Sequence, residues 1–358
     1  MAPMRLRLVG GVLSAAVWAV VLGAAPGASG SDVIYRRSTG KAIGGEITAS
    51  TKDEITVKPT NGNPVAIPAS DVAKVEWEGE PGAMRLGRVD EEGGRYDRAL
   101  QNYAKAKSEA KSPSARFQVD LEYFPLRVRA RQELANPSDP AAARAALEAF
   151  RKKNSDSHHY YECTNLIGQL FLAEQDLASA QAAFDELAGA AASDLKLLAQ
   201  LQTARLKLAA NDAGAARELF AAVAGAAPSG LQEEAYVHQG RLGLADCLKR
   251  EQKYEEAIRT LNEILAAARP EDSRTQAEAY LQQGDCLQAS GRPKEALLAY
   301  LHVDLLFSTE KAQHAEALYH LSRLWDELQK PERGADCAQR LLSEYPNSPW
   351  SVKLRGTN

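Results

Sequence analysis

Residues 245–261 read ADCLKREQKYEEAIRTL, and residues 284–300 read GDCLQASGRPKEALLAY. Each stretch begins with a small residue, has another small residue twelve positions later, and has a large residue four positions after that. The apolar residues around these positions follow the period of an amphipathic helix. Because two helix backbones approach closely only where both carry small side chains, the stretches predict antiparallel helix pairs with tight crossings.

The pairing of a small residue with a large one four positions later recurs along the chain after residue 82. The large residue is expected to fill the gap toward the next helix pair. Successive pairs lie 34 to 47 residues apart, and another small residue precedes most of them by twelve positions, Leu134 being the exception. The pairs are Ala99/Tyr103, Ala146/Phe150, Ala180/Phe184, Ala216/Phe220, Ala257/Leu261, Ala296/Tyr300 and Gly334/Ala338.

This series resembles the tetratricopeptide-repeat (TPR) family, whose repeats combine two small crossing residues, a large apolar residue and often a terminal proline. Pro228 and Pro346 occupy that terminal position. The resemblance covers residues 82–350 and implies a mainly α fold, an α-solenoid of six or seven helix hairpins. Residues 345–348 (YPNS) and the long repeat spacing resemble exported, envelope-associated bacterial TPR proteins.

In TPR proteins the first helices of the hairpins line a concave groove that binds proteins or peptides. When the groove positions of the family are transferred to this sequence by repeat register, one row is mixed in charge and a second row is mostly apolar. Any solvated helix face shows a similar pattern. Such a groove suits a peptide or helix with both charges and hydrophobic anchors. The residues of the two rows are Asn165, Gln169, Leu201, Arg205, Leu242, Asp246, Leu281, Asp285, Tyr319 and Arg323.

Residues 31–80 alternate with a period of two, as in Val33 and Tyr35 or Ile55 and Val57. Turn signals such as Asn61-Gly62 separate the short runs. The pattern predicts a small all-β domain of four or five strands. It fits an SH3-like or Sm-like barrel, and it fits a curled sheet resting on the first helices almost equally well.

Residues 1–30 predict a secretory signal peptide. Arg5 and Arg7 precede an apolar run without charges over residues 8–25, and small residues follow up to Gly30. An uncleaved membrane anchor is the alternative, since about 18 apolar residues can just span a bilayer. Cleavage predicts an exported protein of the periplasm or cell envelope, with no integral membrane span left.

The formal charge of −4 makes the chain mildly acidic. Because nucleic-acid binding requires a basic stripe, we expect no nucleic-acid partner. The sequence also lacks the motifs of serine hydrolases, metalloproteases, phosphate-binding loops and dinucleotide-binding folds. We therefore expect a non-enzyme with no catalytic residues, cofactor or metal.

Two groups of histidines deserve separate interpretations. His158 and His159 are adjacent, and adjacent side chains on a helix diverge by about 100°. We interpret them as a polar entry into a helix, in preference to a metal site. His302, Asp304 and His314 lie around a predicted loop between helices. We expect Asp304 and His314 to hydrogen-bond across it and to fix the angle of the hairpin, in preference to a metal or catalytic role.

The four cysteines, Cys163, Cys247, Cys286 and Cys337, show no metal-binding or redox spacing. Cys247 and Cys286 occupy equivalent positions in neighbouring repeats. Such positions are about 10 Å apart, beyond the usual reach of a disulfide. We expect free, buried thiols.

The sequence thus predicts a protein–protein interaction scaffold with a binding groove on its TPR array. The alternative is a self-associating structural component of the cell envelope, for which Trp350 is the visible apolar candidate. The β segment is expected to act as an N-terminal cap or as a second interaction surface. Residues 351–358 are expected to form a C-terminal tail.

Overall fold

The computed structural model describes residues 31–356, so the predicted signal peptide lies outside the described part of the chain. Antiparallel strands come first and helices follow, which confirms a small all-β segment before a helical array. The strands are β1 (Asp32–Arg36), β2 (Ala42–Ser50), β3 (Glu54–Lys58), β4 (Val65–Pro68) and β5 (Val72–Glu76), with a 3₁₀ turn at Ala69–Asp71.

The five strands form one open sheet in the order β4-β3-β2-β1-β5. β4 and β5 are its edges, so the expectation of a barrel is wrong and the curled sheet is the form observed. Its register shifts in β2 between Ile47 and Ala49. The apolar face of the sheet packs on the first helices instead of closing on itself. Ile34 and Ile55 of this face share one apolar core with Met84.

Fifteen helices follow the sheet in the described chain, and fourteen of them form seven hairpins, which confirms the α-solenoid. The first helices are α1 (Gly82–Glu92), α3 (Ala115–Ala135), α5 (Tyr160–Ala173), α7 (Ser193–Ala209), α9 (Leu231–Arg250), α11 (Ser273–Ala289) and α13 (Lys311–Glu327). The second helices are α2 (Tyr96–Glu109), α4 (Pro140–Lys153), α6 (Leu177–Ala188), α8 (Ala213–Ala224), α10 (Tyr254–Ala267), α12 (Pro293–Leu306) and α14 (Pro331–Glu344). The last helix is α15 (Pro349–Gly356), which includes most of the predicted tail.

A tight turn joins the two helices in six of these seven hairpins. One residue of each turn has a positive φ and ends the first helix as a left-handed cap. At Asp176 and Asp212 the side chain then accepts a hydrogen bond from the backbone N–H three residues on, which caps the second helix. The left-handed residues are Gly94, Gln175, Asn211, Gln252, Gly291 and Gln329.

The fourth residue of each second helix lies at the helix crossing. In the second hairpin this position is Ala143, followed by Leu147, whereas the sequence predicts Ala146 and Phe150. Ala146 is only half-buried, while Leu147 is fully buried. The predicted register fails here because the loop between α3 and α4 lacks the tight turn. The anchors confirmed as fully buried are Ala99, Ala180, Ala216, Ala257 and Ala296.

The first helices lie on the inner side of the array. Neighbouring first helices from α3 to α13 contact each other, whereas no comparable contacts join neighbouring second helices in the described chain. The two helices of a hairpin are tightly packed: a Cβ atom at Gly284 would lie 2.5 Å from Cε1 of Tyr300. A larger residue at Gly284 therefore requires the ring or the helix to move.

All four cysteines are free and buried, which confirms the expectation for Cys247 and Cys286. Among residues 31–356, no helix is long and apolar enough to cross a bilayer.

Candidate protein-binding surface

The predicted mixed-charge row runs across five successive first helices on the inner side of the array. Gln169, Asp246 and Asp285 are half-buried, and Arg205 and Arg323 are exposed. Each helix from α5 to α13 contributes one of these residues, because equivalent positions repeat from hairpin to hairpin. We call these five residues the inner row. Their role in binding stays a prediction.

The expected apolar row beside it is not presented to solvent. Leu242 and Leu281 are each 5% exposed, Tyr319 is 7% exposed and Leu201 is fully buried. These side chains fill the core between hairpins, since apolar groups at a helix crossing are removed from water by the neighbouring helix. Asn165, the polar member, is half-buried. The accessible surface is therefore more polar than the sequence predicts.

Hydrogen bonds join the polar groups of neighbouring first helices from α5 to α13. Because these bonds hold the side chains in fixed positions, less conformational entropy is lost when a partner binds. The bonds run from Gln202 Nε2 to Asn165 Oδ1 (2.8 Å), Arg205 Nη2 to Gln239 Oε1 (2.9 Å), Lys249 Nζ to Asp285 Oδ2 (3.0 Å) and Gln313 Nε2 to Glu278 Oε1 (3.1 Å).

The centre of the inner row is a network of charges around Lys249. Its Nζ lies 3.5 Å from Asp246 and 3.0 Å from Asp285. Burial lowers the pKa of Lys249, but the two carboxylates outweigh burial and raise it. Asp285 also accepts a 2.8 Å hydrogen bond from the buried Tyr300 hydroxyl. Asp285 therefore supports the hairpin as well as facing the surface.

Glu316 adds a titratable group that sequence reasoning missed. Burial raises its pKa to about 7, with a further contribution from the negative charges of Asp285 and Glu278. The charge of this surface therefore changes near neutral pH. Glu316 lies three positions before Tyr319 and so on the same side of α13. The repeat register that selected Tyr319 was sufficient to find it.

Helix α15 closes the C-terminal end of the surface. The Trp350 ring packs 5.1 Å from the Tyr319 ring and 5.5 Å from the His320 ring. Leu354 of the same helix is buried in the core. Trp350, the sequence candidate for self-association, is thus packed against its own chain.

The sheet reaches beyond the first hairpin and touches the starts of later first helices. It contacts α3, α5 and α7 through polar groups, so it covers one end of the inner surface as well as capping the core. The contacts are Arg116 Nη1 to Ile47 O (2.8 Å), Tyr161 Oη to Asp53 Oδ1 (3.2 Å) and Ser70 Oγ to Asp194 Oδ1 (3.0 Å).

A pocket of about 160 Å³ lies between the sheet and the starts of α5, α7 and α9. Arg37 lines it from the sheet, and Glu162 and Asp194 line it from the helices. Burial raises the pKa of Asp194. Asn165 lines the same pocket and is bonded to Gln202, so the pocket adjoins the N-terminal end of the inner surface.

The other polar groups singled out in the sequence serve the last two hairpins. His314 Nε2 hydrogen-bonds Asp304 Oδ1 at 2.8 Å, which confirms the predicted pair. Arg340 also donates to Asp304, over 2.7 Å. Although burial raises the pKa of Asp304, the hydrogen bonds from His314 and Arg340 outweigh it and lower the pKa to about 2. His302 is exposed and takes no part in this cluster.

The hairpins define an α-solenoid of helical repeats. Tetratricopeptide-repeat family models match residues 236–303 and residues 316–348. The chain therefore carries tetratricopeptide repeats in its C-terminal half. Among curated proteins, none matches this sequence significantly.

Several solved structures are similar to the chain at low identity. One is a Rap protein complexed with competence and sporulation factor, with 16% identity over 76% of this chain and 79% of that one, at a TM-score of 0.49. Another is a tetratricopeptide repeat protein from Parabacteroides merdae ATCC 43184, with 14% identity over 74% and 93% of the two chains and a TM-score of 0.47. A third is NprR in complex with its cognate peptide NprX, with 14% identity over 76% and 80% and a TM-score of 0.42.

Proposed function

We propose that this protein is a non-catalytic scaffold that binds a protein or peptide along the inner surface of its TPR solenoid. The observation that carries the proposal is the inner row, which presents one polar residue on each of five successive first helices. Hydrogen bonds between helices fix this surface, and a packed core lies beneath it. A long, rigid and polar surface suits recognition of an extended or helical segment.

The order of charges favours a particular kind of partner. Asp246 and Asp285 lie in the middle of the inner row, and Arg205 and Arg323 flank them. A complementary segment carries basic residues at its centre and acidic residues toward its ends, because such complementarity speeds association and selects the partner. Hydrophobic anchors contribute less than the sequence predicts, since Leu242 and Leu281 are buried.

Charge reversals in the inner row test this proposal. Arg205→Glu and Arg323→Glu change exposed groups, and Arg259→Glu on the second helix α10 is a matched control, also exposed. Each form is used as bait in an envelope extract, and captured proteins are quantified by mass spectrometry. We expect one partner to be captured by the wild type and the control, and several-fold less by both inner-row variants.

The proposal fails if all four forms capture the same partner equally, with far-UV circular dichroism showing that all are folded. Binding lost in Arg259→Glu alone would move the site to the outer side of the array. Titration of the purified partner against each variant at low and high salt then separates steering by charge from direct contact, because screening weakens only the former strongly.

Self-association as an envelope component is the second candidate, and one surface feature favours it. Leu298, Leu305 and Leu306 are 57%, 73% and 66% exposed on α12. Positions seven and eight apart share one side of a helix, so these leucines form an apolar stripe. Sedimentation velocity of wild type and Leu305→Glu tests it: a concentration-dependent oligomer that the substitution abolishes supports this function over the scaffold.

We further propose that the scaffold acts after export, in the periplasm or cell envelope. The basic start and apolar run of residues 1–30 support this proposal. Intact-mass measurement of the protein from envelope fractions is expected to give a chain that begins near residue 30. A chain that retains Met1 and sediments with membranes would instead establish an anchored protein.

A further inference from the structure

One cluster of buried ionisable groups is separate from the inner row. Asp120 belongs to α3, and His158 and His159 lie in the turn before α5. One ligand-type atom from each residue lies within 4.8 Å of the others. The three side chains are 1%, 6% and 7% exposed, respectively. They are therefore shielded from water and held by surrounding structure.

The two imidazole rings converge on a single carboxylate oxygen. Nε2 of His159 lies 2.8 Å from Oδ1 of Asp120, and Nε2 of His158 lies 3.6 Å from the same atom. In a tetrahedral zinc site with bonds of about 2.0–2.1 Å, neighbouring ligand atoms are about 3.3 Å apart. The two observed distances bracket that value, so small shifts of the rings place all three atoms around one ion.

Two of the three ligands also have a hydrogen-bond partner on the far side, as is typical of metal centres. His158 Nδ1 lies 3.2 Å from Ser50 Oγ, whereas His159 Nδ1 faces a carboxylate oxygen of Glu162 at 4.0 Å, beyond hydrogen-bond distance. The other oxygen of Asp120 accepts a 2.8 Å hydrogen bond from Nε1 of Trp77. His159 Nε2 hydrogen-bonds Asp120 Oδ1 in this structure, so a bound ion would take the place of the proton between them.

We propose that Asp120 Oδ1, His158 Nε2 and His159 Nε2 form a binding site for Zn²⁺ or a related divalent transition metal. Imidazole nitrogen with one carboxylate oxygen suits these ions and disfavours Ca²⁺ and Mg²⁺, which prefer oxygen ligands. The same three residues line the pocket between the sheet and α5, which provides an entry path and a fourth coordination position for water.

Chain geometry explains why the adjacent histidines can share an ion. The sequence places them at a helix entry and predicts diverging side chains, but α5 begins one residue later, at Tyr160. The rings lie 3.9 Å apart between centroids. The third ligand, Asp120, comes from the preceding hairpin.

The metal would connect separate parts of the protein. Its ligands come from α3 and the turn before α5, while Ser50 and Trp77 hold them from the sheet side. When the ion binds, it replaces the hydrogen bond between His159 and Asp120, and His159 moves its proton to Nδ1. Because binding favours the folded state alone, Zn²⁺ is expected to raise the thermal unfolding temperature.

The test uses the tag-free whole chain after removal of metals with a chelator. Calorimetric titration with Zn²⁺ is expected to show one ion bound per chain. Co²⁺ is expected to give the visible absorption spectrum of a four-coordinate metal site. His158→Ala and Asp120→Asn should each weaken the affinity by at least about 100-fold, since loss of even an outer partner weakens binding 10–100-fold. His302→Ala, at an exposed histidine of α12, is the control and should bind as the wild type does.

Two results would overturn the site. The first is a folded wild-type chain that takes up no Zn²⁺, and the second is unchanged affinity in both ligand variants. If either ligand variant fails to fold by circular dichroism, Ser50→Ala replaces it. This variant removes only the hydrogen bond to His158 Nδ1, and unchanged affinity in it would then count against the proposal.

Discussion

The two ends of the molecule are held together by different interactions. In the sheet and the first two hairpins, charged groups are buried in pairs: Arg88 and Glu80 are paired at 2.7 Å with side chains 8% and 7% exposed. Glu91, 1% exposed, binds two arginines of α3. From α9 onward the core is mainly apolar, with small residues such as Ala257 and Ala296 at the crossings, and the pair of the buried His314 with Asp304 is an exception.

This difference shows what a repeat can and cannot encode. An alanine crossing is specified within one hairpin and can be copied along the chain, and the family models begin to match at residue 236. The sheet has no repeated partner, so its attachment depends on an apolar core shared with the first helices and on individual hydrogen bonds such as the one from Trp77 to Asp120. Buried ion pairs such as that of Glu91 with Arg127 then connect the first two hairpins. Removing one partner of a buried ion pair is costly, because the other charge stays buried without compensation.

The largest effect is therefore expected from Glu91→Ala. The carboxylate of Glu91 accepts hydrogen bonds from Arg127 at 2.8 Å, Arg131 at 2.9 Å and the Tyr103 hydroxyl at 2.8 Å. Its loss removes both hydrogen bonds from the buried Arg127 to Glu91 and leaves Glu162, at 3.5 Å, as the remaining carboxylate, which should reduce the free energy of unfolding by about 3–5 kcal/mol. Urea denaturation followed by circular dichroism measures the loss.

The control for Glu91→Ala is Glu122→Ala, which removes an exposed pair with Lys153. We expect it to cost at most about 1 kcal/mol, since solvent screens such pairs. Equal losses in the two variants would show that the N-terminal charges contribute no more than surface charges, and the contrast between the two regions would disappear.

Packing in the C-terminal hairpins is tested by Gly284→Ala. The added Cβ would lie 2.5 Å from Cε1 of Tyr300, so the ring or the helix must shift. Overpacking of this kind typically costs about 1–3 kcal/mol. Gly214→Ala is the control, because its Cβ would meet nothing closer than 3.9 Å and alanine favours helix. An unfolding temperature that is unchanged by Gly284→Ala would mean that α11 and α12 are less tightly packed at this crossing than the short distance to Tyr300 indicates.

The helical part of the fold is predictable because each hairpin is specified locally. Where the local turn is missing, between α3 and α4, the same reasoning selects Ala146 in place of Ala143. Alternation also locates the strands of the sheet. It does not predict whether the sheet closes into a barrel. Closure depends on which part of the chain covers the edge strands β4 and β5, and those contacts are distant in sequence.

The direction of the inner-row side chains follows from the repeat register, as the hairpins do. The burial of the leucines beside them does not. Register gives the direction of a side chain from its own helix, so Asp246 and Asp285 fall on the same side. It does not give the closeness of the next hairpin, which buries Leu242 and Leu281. The cluster around Asp120 is a still longer-range arrangement, and no local pattern indicates it.

A smaller, pH-dependent effect is expected from Glu316, whose folded-state pKa is raised to about 7 by burial and neighbouring carboxylates. A raised carboxyl pKa means that the folded state holds the proton more tightly than the unfolded state. Stability should therefore fall as the pH rises from about 4.5 through 7, and level off near pH 8. Glu316→Gln should remove this fall, worth about 1–2 kcal/mol, in urea denaturation at pH 5 and pH 8. Parallel pH profiles of wild type and variant would exclude Glu316 as the titrating group.

The smallest effect on stability is expected from Asp246→Lys, although the sequence treats Asp246 and Asp285 as equivalent. Asp246 pairs at 2.8 Å with the exposed Arg250 of its own helix, so its reversal should change stability by about 0.5 kcal/mol. Asp285→Lys should cost about 1–3 kcal/mol, because the buried Tyr300 hydroxyl loses its acceptor, and Asp285→Asn should restore most of this loss. Chemical denaturation separates the three variants. A large loss of unfolding free energy in Asp246→Lys would show that the charges of the inner row stabilise the fold, as those near the sheet do. The two ends of the molecule would then differ less than their cores suggest.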